Sequence, residues 1–199
     1  MKKAKVAILI SGRGSNMSAL IEAAKAPDYP AEIVGVLSNK AAAPGLDIAA
    51  SHGIATASLA QSKFPIREMF EDTMTQILES WGTDIVCLAG FMRILDESFV
   101  DHWLGRMINI HPSLLPTYKG LHTHERALAD GATEHGCSVH FVTPGLDEGP
   151  VILQAKVPVL AGDTAATLSA RVLVEEHRIY PEALRMLANG MARIPATLH

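Results

Sequence analysis

The sequence predicts an α/β fold, in which a mostly parallel, twisted sheet carries helices on both of its faces. Strand-like and helix-like segments alternate along the 199 residues, which is the pattern of consecutive βαβ units. The strand-like segments Asp84–Ala89 and Met107–Ile110 are mainly apolar, and such runs are typical of strands buried on both faces. We expect one domain over residues 1–199, because this length corresponds to about 1.3 domains of ~150 residues each.

The first half of the chain predicts three strands and three helices. The strands are short apolar runs at Lys5–Ser11, Ile33–Leu37 and Ile54–Ala57. The helices are expected from Ser15 or Asn16 to about Lys25, from Pro44 to Gly53, and over Ile66–Ser80. Apolar side chains recur every three or four residues in the third helix, which predicts that one of its faces belongs to the core.

The second half continues this alternation and then becomes richer in strands. After the strand Asp84–Ala89 we expect a short helix over Asp96–Trp103, followed by the strand Met107–Ile110. Two further strands, Ser138–Thr143 and Val151–Val157, are joined by a turn rich in glycine and proline. A long C-terminal helix over Ala165–Ala188 is expected to bend at Pro181.

The composition excludes several classes of protein. The 17 Lys+Arg against 21 Asp+Glu give a net charge of −4, which argues against a dedicated nucleic-acid binder, because such proteins neutralise phosphates with excess positive charge. The only cysteines, Cys87 and Cys137, lie in apolar runs and exclude a disulfide framework. No apolar run approaches the ~20 residues of a spanning helix, and Val6–Ile10 is too short for a secretory signal. We therefore expect a cytoplasmic protein that binds neither nucleic acid nor membrane.

A glycine-rich turn, Ser11-Gly12-Arg13-Gly14-Ser15-Asn16, follows the first strand. Its glycines allow backbone N–H groups to surround an anion, and the start of the helix adds partial positive charge. A dinucleotide fingerprint would need a third glycine where Met17 stands, and a Walker loop would need Gly-Lys-Ser/Thr. The turn is therefore either a site for a single phosphate or an ordinary tight turn with a helix cap.

A polar pair, Asn109 and His111, lies at the end of the strand that begins at Met107. Alternate residues of a strand project from the same face, so the amide and the imidazole are expected side by side. An amide can donate a hydrogen bond to an oxyanion, and an imidazole can carry a proton near neutral pH. The alternative is a structural histidine whose hydrogen bonds are satisfied at the strand end.

An acidic turn follows a later strand and runs Thr143-Pro144-Gly145-Leu146-Asp147-Glu148-Gly149-Pro150. If the carboxylate of Asp147 lies against His111, it orients the imidazole and favours the protonated form of the ring. The sequence equally allows a turn in which Asp147 bonds only to its own backbone.

Two other features allow more than one interpretation. The segment His122-Thr123-His124 suggests metal ligands, but histidines at i and i+2 do not share a helix face, and the segment has no cysteine or acid at ligand spacing. We therefore expect no metal, and we place His124 and Glu125 at a helix start on the surface. Arg93 follows a strand among apolar neighbours, where it either faces solvent or binds a carboxylate.

Seven segments stand in a characteristic order along the chain. They are Gly12-x-Gly14-Ser15-Asn16, Gly90-Phe91-Met92-Arg93, Asn109-Ile110-His111-Pro112-Ser113-Leu114-Leu115-Pro116, Gly120-x-His122-Thr123-His124, Gly136-x-Ser138-Val139-His140-Phe141-Val142, Asp147-x-Gly149-Pro150-Val151-Ile152 and Glu176-His177-x-Ile179-Tyr180-Pro181. Together they resemble the phosphoribosylglycinamide formyltransferases, the folate-dependent transformylases of purine synthesis. The resemblance extends from the first strand to the C-terminal helix.

This resemblance implies a Rossmann-like formyltransferase fold and a role for each matching residue. Asn109, His111 and Asp147 match the catalytic residues of the family. The residues that match its ribonucleotide site are Gly14, Ser15, Asn16 and Glu176. The residues that match its folate site are Arg67, Met92, Arg93, Ile94, Leu95, Gly145 and Leu146. Leu173 departs from the pattern, because some members carry a polar residue there that faces the acceptor ribonucleotide.

The implied reaction moves the formyl group of 10-formyltetrahydrofolate to the glycine amine of glycinamide ribonucleotide. Asn109 and His111 would stabilise the oxyanion, and Asp147 would orient and charge His111. Formyl-tetrahydrofolate hydrolases and methionyl-tRNA formyltransferases usually carry an extra domain, and we expect neither activity because this chain shows no such extension. A regulator that only binds a phosphorylated metabolite would not require the three catalytic residues. We expect a monomer or a homodimer.

Overall fold

The computed structural model describes residues 2–196, and these residues form one seven-stranded sheet and six α-helices. The strands are β1 (Ala4–Ile10), β2 (Ala31–Ser38), β3 (Ala55–Ser58), β4 (Ile85–Leu88), β5 (Met107–His111), β6 (Glu134–Phe141) and β7 (Val151–Pro158). Their order across the sheet is β3-β2-β1-β4-β5-β6-β7. Strands β1 to β5 are parallel, and β6 and β7 pair antiparallel at one edge. The predicted mostly parallel α/β sheet is confirmed.

The helices are α1 (Ser15–Ala24), α2 (Pro44–Ser51), α3 (Arg67–Ser80), α4 (Glu97–His102), α5 (Thr123–Ala129) and α6 (Ala165–Ala188), with a 3-10 turn at Gln61–Lys63. Helix α5 is only seven residues long, and its sequence predicts the start of a helix near His124 but contains no extended apolar pattern. Strand β6 begins at Glu134, four residues before the predicted Ser138. Helix α6 continues through Pro181 to Ala188.

Each face of the sheet carries its own apolar core. Side chains of β1 alternate between the faces, with Val6, Ile8 and Ile10 in one core and Ala7 and Leu9 in the other. Helices α1 and α6 cover the first face, and α3 and α4 cover the second. Burial on both sides explains the apolar runs of the central strands β1 and β4, since each buried Leu or Ile stabilises the fold by roughly 1.5–3 kcal/mol.

The strand order reverses at β1, which lies between β2 on one side and β4 on the other. The chain leaves the carboxyl ends of β1 and β4 in opposite directions and so opens a crevice, which is where ligands bind in sheets of this kind. The glycine turn follows β1, the segment around Met92 follows β4, and His111 ends β5. No helix within residues 2–196 is long and apolar enough to cross a bilayer.

Candidate active site

The antiparallel pairing of β5 with β6 positions the polar end of β5. Asn109 lies opposite His140, and His111 lies opposite Ser138. The Nδ1 atom of His111 is 3.4 Å from Oδ2 of Asp147, and both side chains are about nine-tenths buried. The imidazole and the carboxylate that the sequence suggested as partners therefore face each other in a site with little solvent.

The carboxylate of Asp147 connects two loops. Its Oδ2 atom accepts a hydrogen bond from the backbone N–H of Gly120 at 2.8 Å, and its Oδ1 atom is 3.7 Å from Nε2 of His140. Asp147 itself has a left-handed backbone with φ 52, a conformation that Asp and Asn adopt more readily than most residues. The acid therefore bonds across to a different loop instead of only to its own turn.

The second ring nitrogen of His111 also has an oxygen partner. Its Nε2 atom lies 2.9 Å from the backbone carbonyl of Tyr118, which can only accept, so Nε2 donates. Nδ1 faces the carboxylate of Asp147 on the other side. The ring therefore lies between two oxygen atoms, one of a backbone carbonyl and one of a carboxylate.

A cleft beside this cluster unites most of the residues expected at a folate site. Asn109 and Asp147 line it together with five of the expected residues, namely Arg93, Ile94, Leu95, Gly145 and Leu146. Its remaining walls are largely apolar and include Phe91, Val100 and Val142. Such a cleft suits a flat, mostly apolar ligand that is oriented by a few polar groups.

Two of the expected folate residues lie outside the lining of this cleft. The side chain of Met92 is exposed, but its backbone N–H donates to the hydroxyl of Ser11 at 2.8 Å. Arg67 lines a neighbouring groove that also contains Arg93. Its guanidinium pairs with Asp96 at 2.7 Å, so part of its charge is already neutralised.

The glycine turn and the C-terminal helix meet on the first face of the sheet. Gly14 precedes α1 with φ +71, a conformation that favours glycine. Nδ2 of Asn16 donates to Oε2 of Glu176 at 2.7 Å. Burial raises the pKa of Glu176, and the hydrogen bond from Asn16 opposes that rise. Leu173 is half-buried one turn before Glu176 on α6, so no polar group is present at that position.

Sequence reasoning gave no individual role to three residues that complete this site. His140 contacts both Asn109 and Asp147, Tyr118 contributes only a backbone carbonyl to His111, and Ser11 binds the segment after β4. His140 was visible only inside a longer matching segment, because its contact with Asn109 depends on the pairing of β5 with β6. Ser11 was visible as the first residue of the glycine turn.

The histidines of the segment from His122 to His124 do not join a ligand cluster. Across residues 2–196, no three His, Cys, Asp or Glu side chains lie together as metal ligands would. Glu125 is exposed in the first turn of α5, as expected. The expected surface position of His124 is wrong, because this ring is half-buried and its Nδ1 is 3.1 Å from Nε2 of His135.

A Rossmann-like sheet with this Asn-His-Asp cluster points to formyl transfer, and comparison with known proteins supports that class. Residues 4–184 match the formyl transferase family, and the chain belongs to it.

The relatives define the group within that family. The phosphoribosylglycinamide formyltransferase of Escherichia coli is 51% identical over 189 residues, which cover 95% of this chain and 89% of that protein. The trifunctional purine biosynthetic protein adenosine-3 of Bos taurus is 52% identical over 97% of this chain, which spans only 19% of that longer protein. A crystal structure of the phosphoribosylglycinamide formyltransferase of Brucella melitensis is 54% identical in sequence and superposes with a TM-score of 0.91. The match covers 98% of this chain and 100% of that chain. The chain is a member of the phosphoribosylglycinamide formyltransferase group.

Proposed function

We propose that this enzyme transfers the formyl group of 10-formyltetrahydrofolate to the glycine amine of glycinamide ribonucleotide. One observation carries the proposal: Asn109 and Asp147 line the same cleft as Arg93, Ile94 and Leu95, and Asp147 faces His111. The formyl donor would occupy this cleft. The phosphate of the acceptor would bind at the turn of Gly14, Ser15 and Asn16, and Glu176 would contact the same substrate.

The proposed reaction uses side chains that can donate hydrogen bonds to a developing negative charge. The amine nitrogen attacks the formyl carbon, and the electron pair of the C=O bond moves to oxygen. Asn109 and the imidazolium of His111 stabilise this oxyanion, and each such donor contributes roughly 2.7–4 kcal/mol in comparable sites. When the oxyanion collapses, the bond between the formyl carbon and N10 of the folate breaks. N10 gains a proton and the attacking nitrogen loses one, through His111 or water.

This route polarises the formyl carbonyl with protein donors, and we propose that it needs no metal. The rate should then be unchanged after dialysis against EDTA. We also propose that one domain carries the whole site, because its residues lie on β5, on α6 and in loops that follow strands of one sheet.

The test is a formyl-transfer assay with purified protein, 10-formyltetrahydrofolate and glycinamide ribonucleotide. Mass spectrometry should detect the formylated ribonucleotide in an amount equal to the tetrahydrofolate released. Release of formate without a formylated acceptor would indicate a hydrolase, and formylation of methionyl-tRNA would indicate the related tRNA enzyme. Binding of the ribonucleotide without any turnover would indicate a regulator instead of an enzyme.

A further inference from the structure

His140 is a buried histidine that directly contacts Asn109 and Asp147. It lies on β6 opposite Asn109, and only 2% of its surface is exposed. Its Nδ1 atom is 2.8 Å from the backbone carbonyl of Phe141. Its Nε2 atom is 3.2 Å from Nδ2 of Asn109 and 3.7 Å from Oδ1 of Asp147.

These contacts define which nitrogen of His140 carries the proton. A carbonyl oxygen can only accept a hydrogen bond, so Nδ1 must be the donor to Phe141. Burial lowers the pKa of His140, although the carbonyl of Phe141 and the charge of Asp147 oppose this effect and His111 adds to it. The ring is therefore neutral near pH 7, and its Nε2 atom has a free lone pair that accepts a hydrogen bond.

The lone pair on Nε2 decides how the amide of Asn109 is turned. A side-chain amide has one donor end and one acceptor end. Nε2 can pair only with the donor end, because the carbonyl oxygen of a flipped amide would face the lone pair. Nδ2 of Asn109 therefore lies toward His140, and its second hydrogen remains free for a ligand in the cleft that both residues line.

We infer that His140 is a positioning residue, which holds the amide of Asn109 with its NH₂ group toward the formyl oxygen. The inference rests on the proposed function, since the oxyanion of that reaction needs a donor and not a carbonyl oxygen. The same neutral ring does not compete with His111 for the carboxylate of Asp147, because an unprotonated Nε2 cannot donate a hydrogen bond to Oδ1.

Two substitutions separate this role from simple packing. His140→Asn keeps an amide near the position of Nδ1, where it can still donate to Phe141, but it is too short to reach Asn109. His140→Gln is longer and can bring a carbonyl oxygen to the former position of Nε2, where it accepts from Asn109. We expect kcat of His140→Asn to fall roughly 10²–10³-fold, as in the loss of an oxyanion donor. KM for both substrates should stay within about threefold, and His140→Gln should recover at least about tenfold of the lost kcat.

A spectroscopic measurement on the wild-type protein covers the case in which a variant fails to fold. Long-range ¹H–¹⁵N correlation of the histidine rings distinguishes a protonated ring nitrogen from a bare one. We expect a protonated Nδ1 and a bare Nε2 for His140 between pH 7 and 8. A ring with its proton on Nε2 would overturn the inference, whatever the variants do.

The kinetic outcomes are equally separable. The positioning role would be overturned by any of three results. The first is a wild-type kcat in His140→Asn, the second is an equal loss of kcat in both variants, and the third is a change in KM without a change in kcat. An inactive wild-type enzyme would instead overturn the proposed function, and the ring measurement would then still decide how His140 is protonated.

Discussion

The side-chain amide of Asn16 donates a 2.7 Å hydrogen bond to the carboxylate of Glu176, which lies 160 positions further along the chain. This bond joins the first helix to the last one at the proposed ribonucleotide site. Burial raises the pKa of Glu176 above its ordinary value of 4.5, and Asn16 opposes that rise. The ionised carboxylate is therefore stabilised by a partner that lies directly after Gly14 and Ser15, in the turn that we propose binds the phosphate.

Asn16→Ala should weaken ribonucleotide binding and steepen the dependence of stability on pH. A carboxyl group whose pKa is raised on folding stabilises the protein at low pH, and this contribution is lost as the pH rises through the folded pKa. Removal of Asn16 raises that pKa further, so the variant should lose more stability than the wild type between pH 5 and 8. Urea unfolding at several pH values measures this, and Asn189→Ala on the exposed end of α6 is the control. KM for the ribonucleotide should rise about tenfold, which corresponds to one lost hydrogen bond of roughly 1.5 kcal/mol.

Gly14→Ala should raise KM for the ribonucleotide while KM for the folate stays unchanged. A methyl group at Gly14 would lie 3.0 Å from the flexible end of Met17, and it would obstruct the phosphate that we propose binds to this backbone. The left-handed φ of +71 adds strain of about 1–2 kcal/mol.

Gly53→Ala is the matched control for this strain. Gly53 has φ +72 and open space around the added carbon, so both variants should lose a similar few degrees of Tm. Equal KM values for the ribonucleotide in the two variants would contradict a phosphate site at Gly14.

Ser11→Ala should raise KM for the folate. The buried hydroxyl of Ser11 donates to Oδ1 of Asn39 at 2.6 Å and accepts from the N–H of Met92 at 2.8 Å. The variant would remove this hydrogen bond from both partners, and the segment around Met92, which we propose contacts the folate, would lose its fixed position. Steady-state kinetics test this against Ser51→Ala, whose hydroxyl bonds only to the Ile48 carbonyl on an exposed helix. An unchanged folate KM would show that Ser11 acts only on stability.

The strands and most helices could be predicted from the sequence because their signals are local. Unbroken apolar runs predicted β1 and β4, and the spacing of Phe70 and Met74 predicted the buried face of α3. Short elements without such a pattern were missed or displaced. Helix α5 has only two fully buried side chains, Thr123 and Ala127, which is too few to create a recognisable period.

The candidate site was less predictable because several of its contacts depend on pairing between distant segments. His140 contacts Asn109 only because β6 pairs antiparallel with β5 in one particular register, and a shift by one residue would turn His140 to the other face. Tyr118 contributes a main-chain carbonyl, which every residue possesses and no sequence pattern reveals. Of the two partners of His111, the sequence therefore predicts Asp147 but not the carbonyl of Tyr118.

Stability should fall on mild acidification because of the buried ring of His135. Burial, followed by the neighbouring His124 and His111, lowers the pKa of His135 to about 4. A group whose pKa is depressed on folding stabilises the protein above its unfolded value near 6.5, and the contribution is lost as the pH falls from there toward 4. The free energy of unfolding in urea should drop between pH 7 and 5, and less steeply in His135→Asn. The exposed His52→Asn should follow the wild type, and equal slopes in all three proteins would contradict this origin.

Asp147→Asn should abolish most of the activity and leave ribonucleotide binding intact. Asn tolerates the left-handed backbone at this position and can still accept from the N–H of Gly120, so the variant removes the charge and not the shape. Without the carboxylate, His111 loses the negative charge that lies 3.4 Å from its Nδ1, and kcat should fall roughly 10²–10⁴-fold. The neighbouring Glu148→Gln is the control, since Glu148 pairs only with Lys119 at an exposed position. Titration of the His111 ring by NMR gives the direct measurement. An unchanged titration together with an unchanged kcat would leave Asp147 as a residue that merely holds its loop.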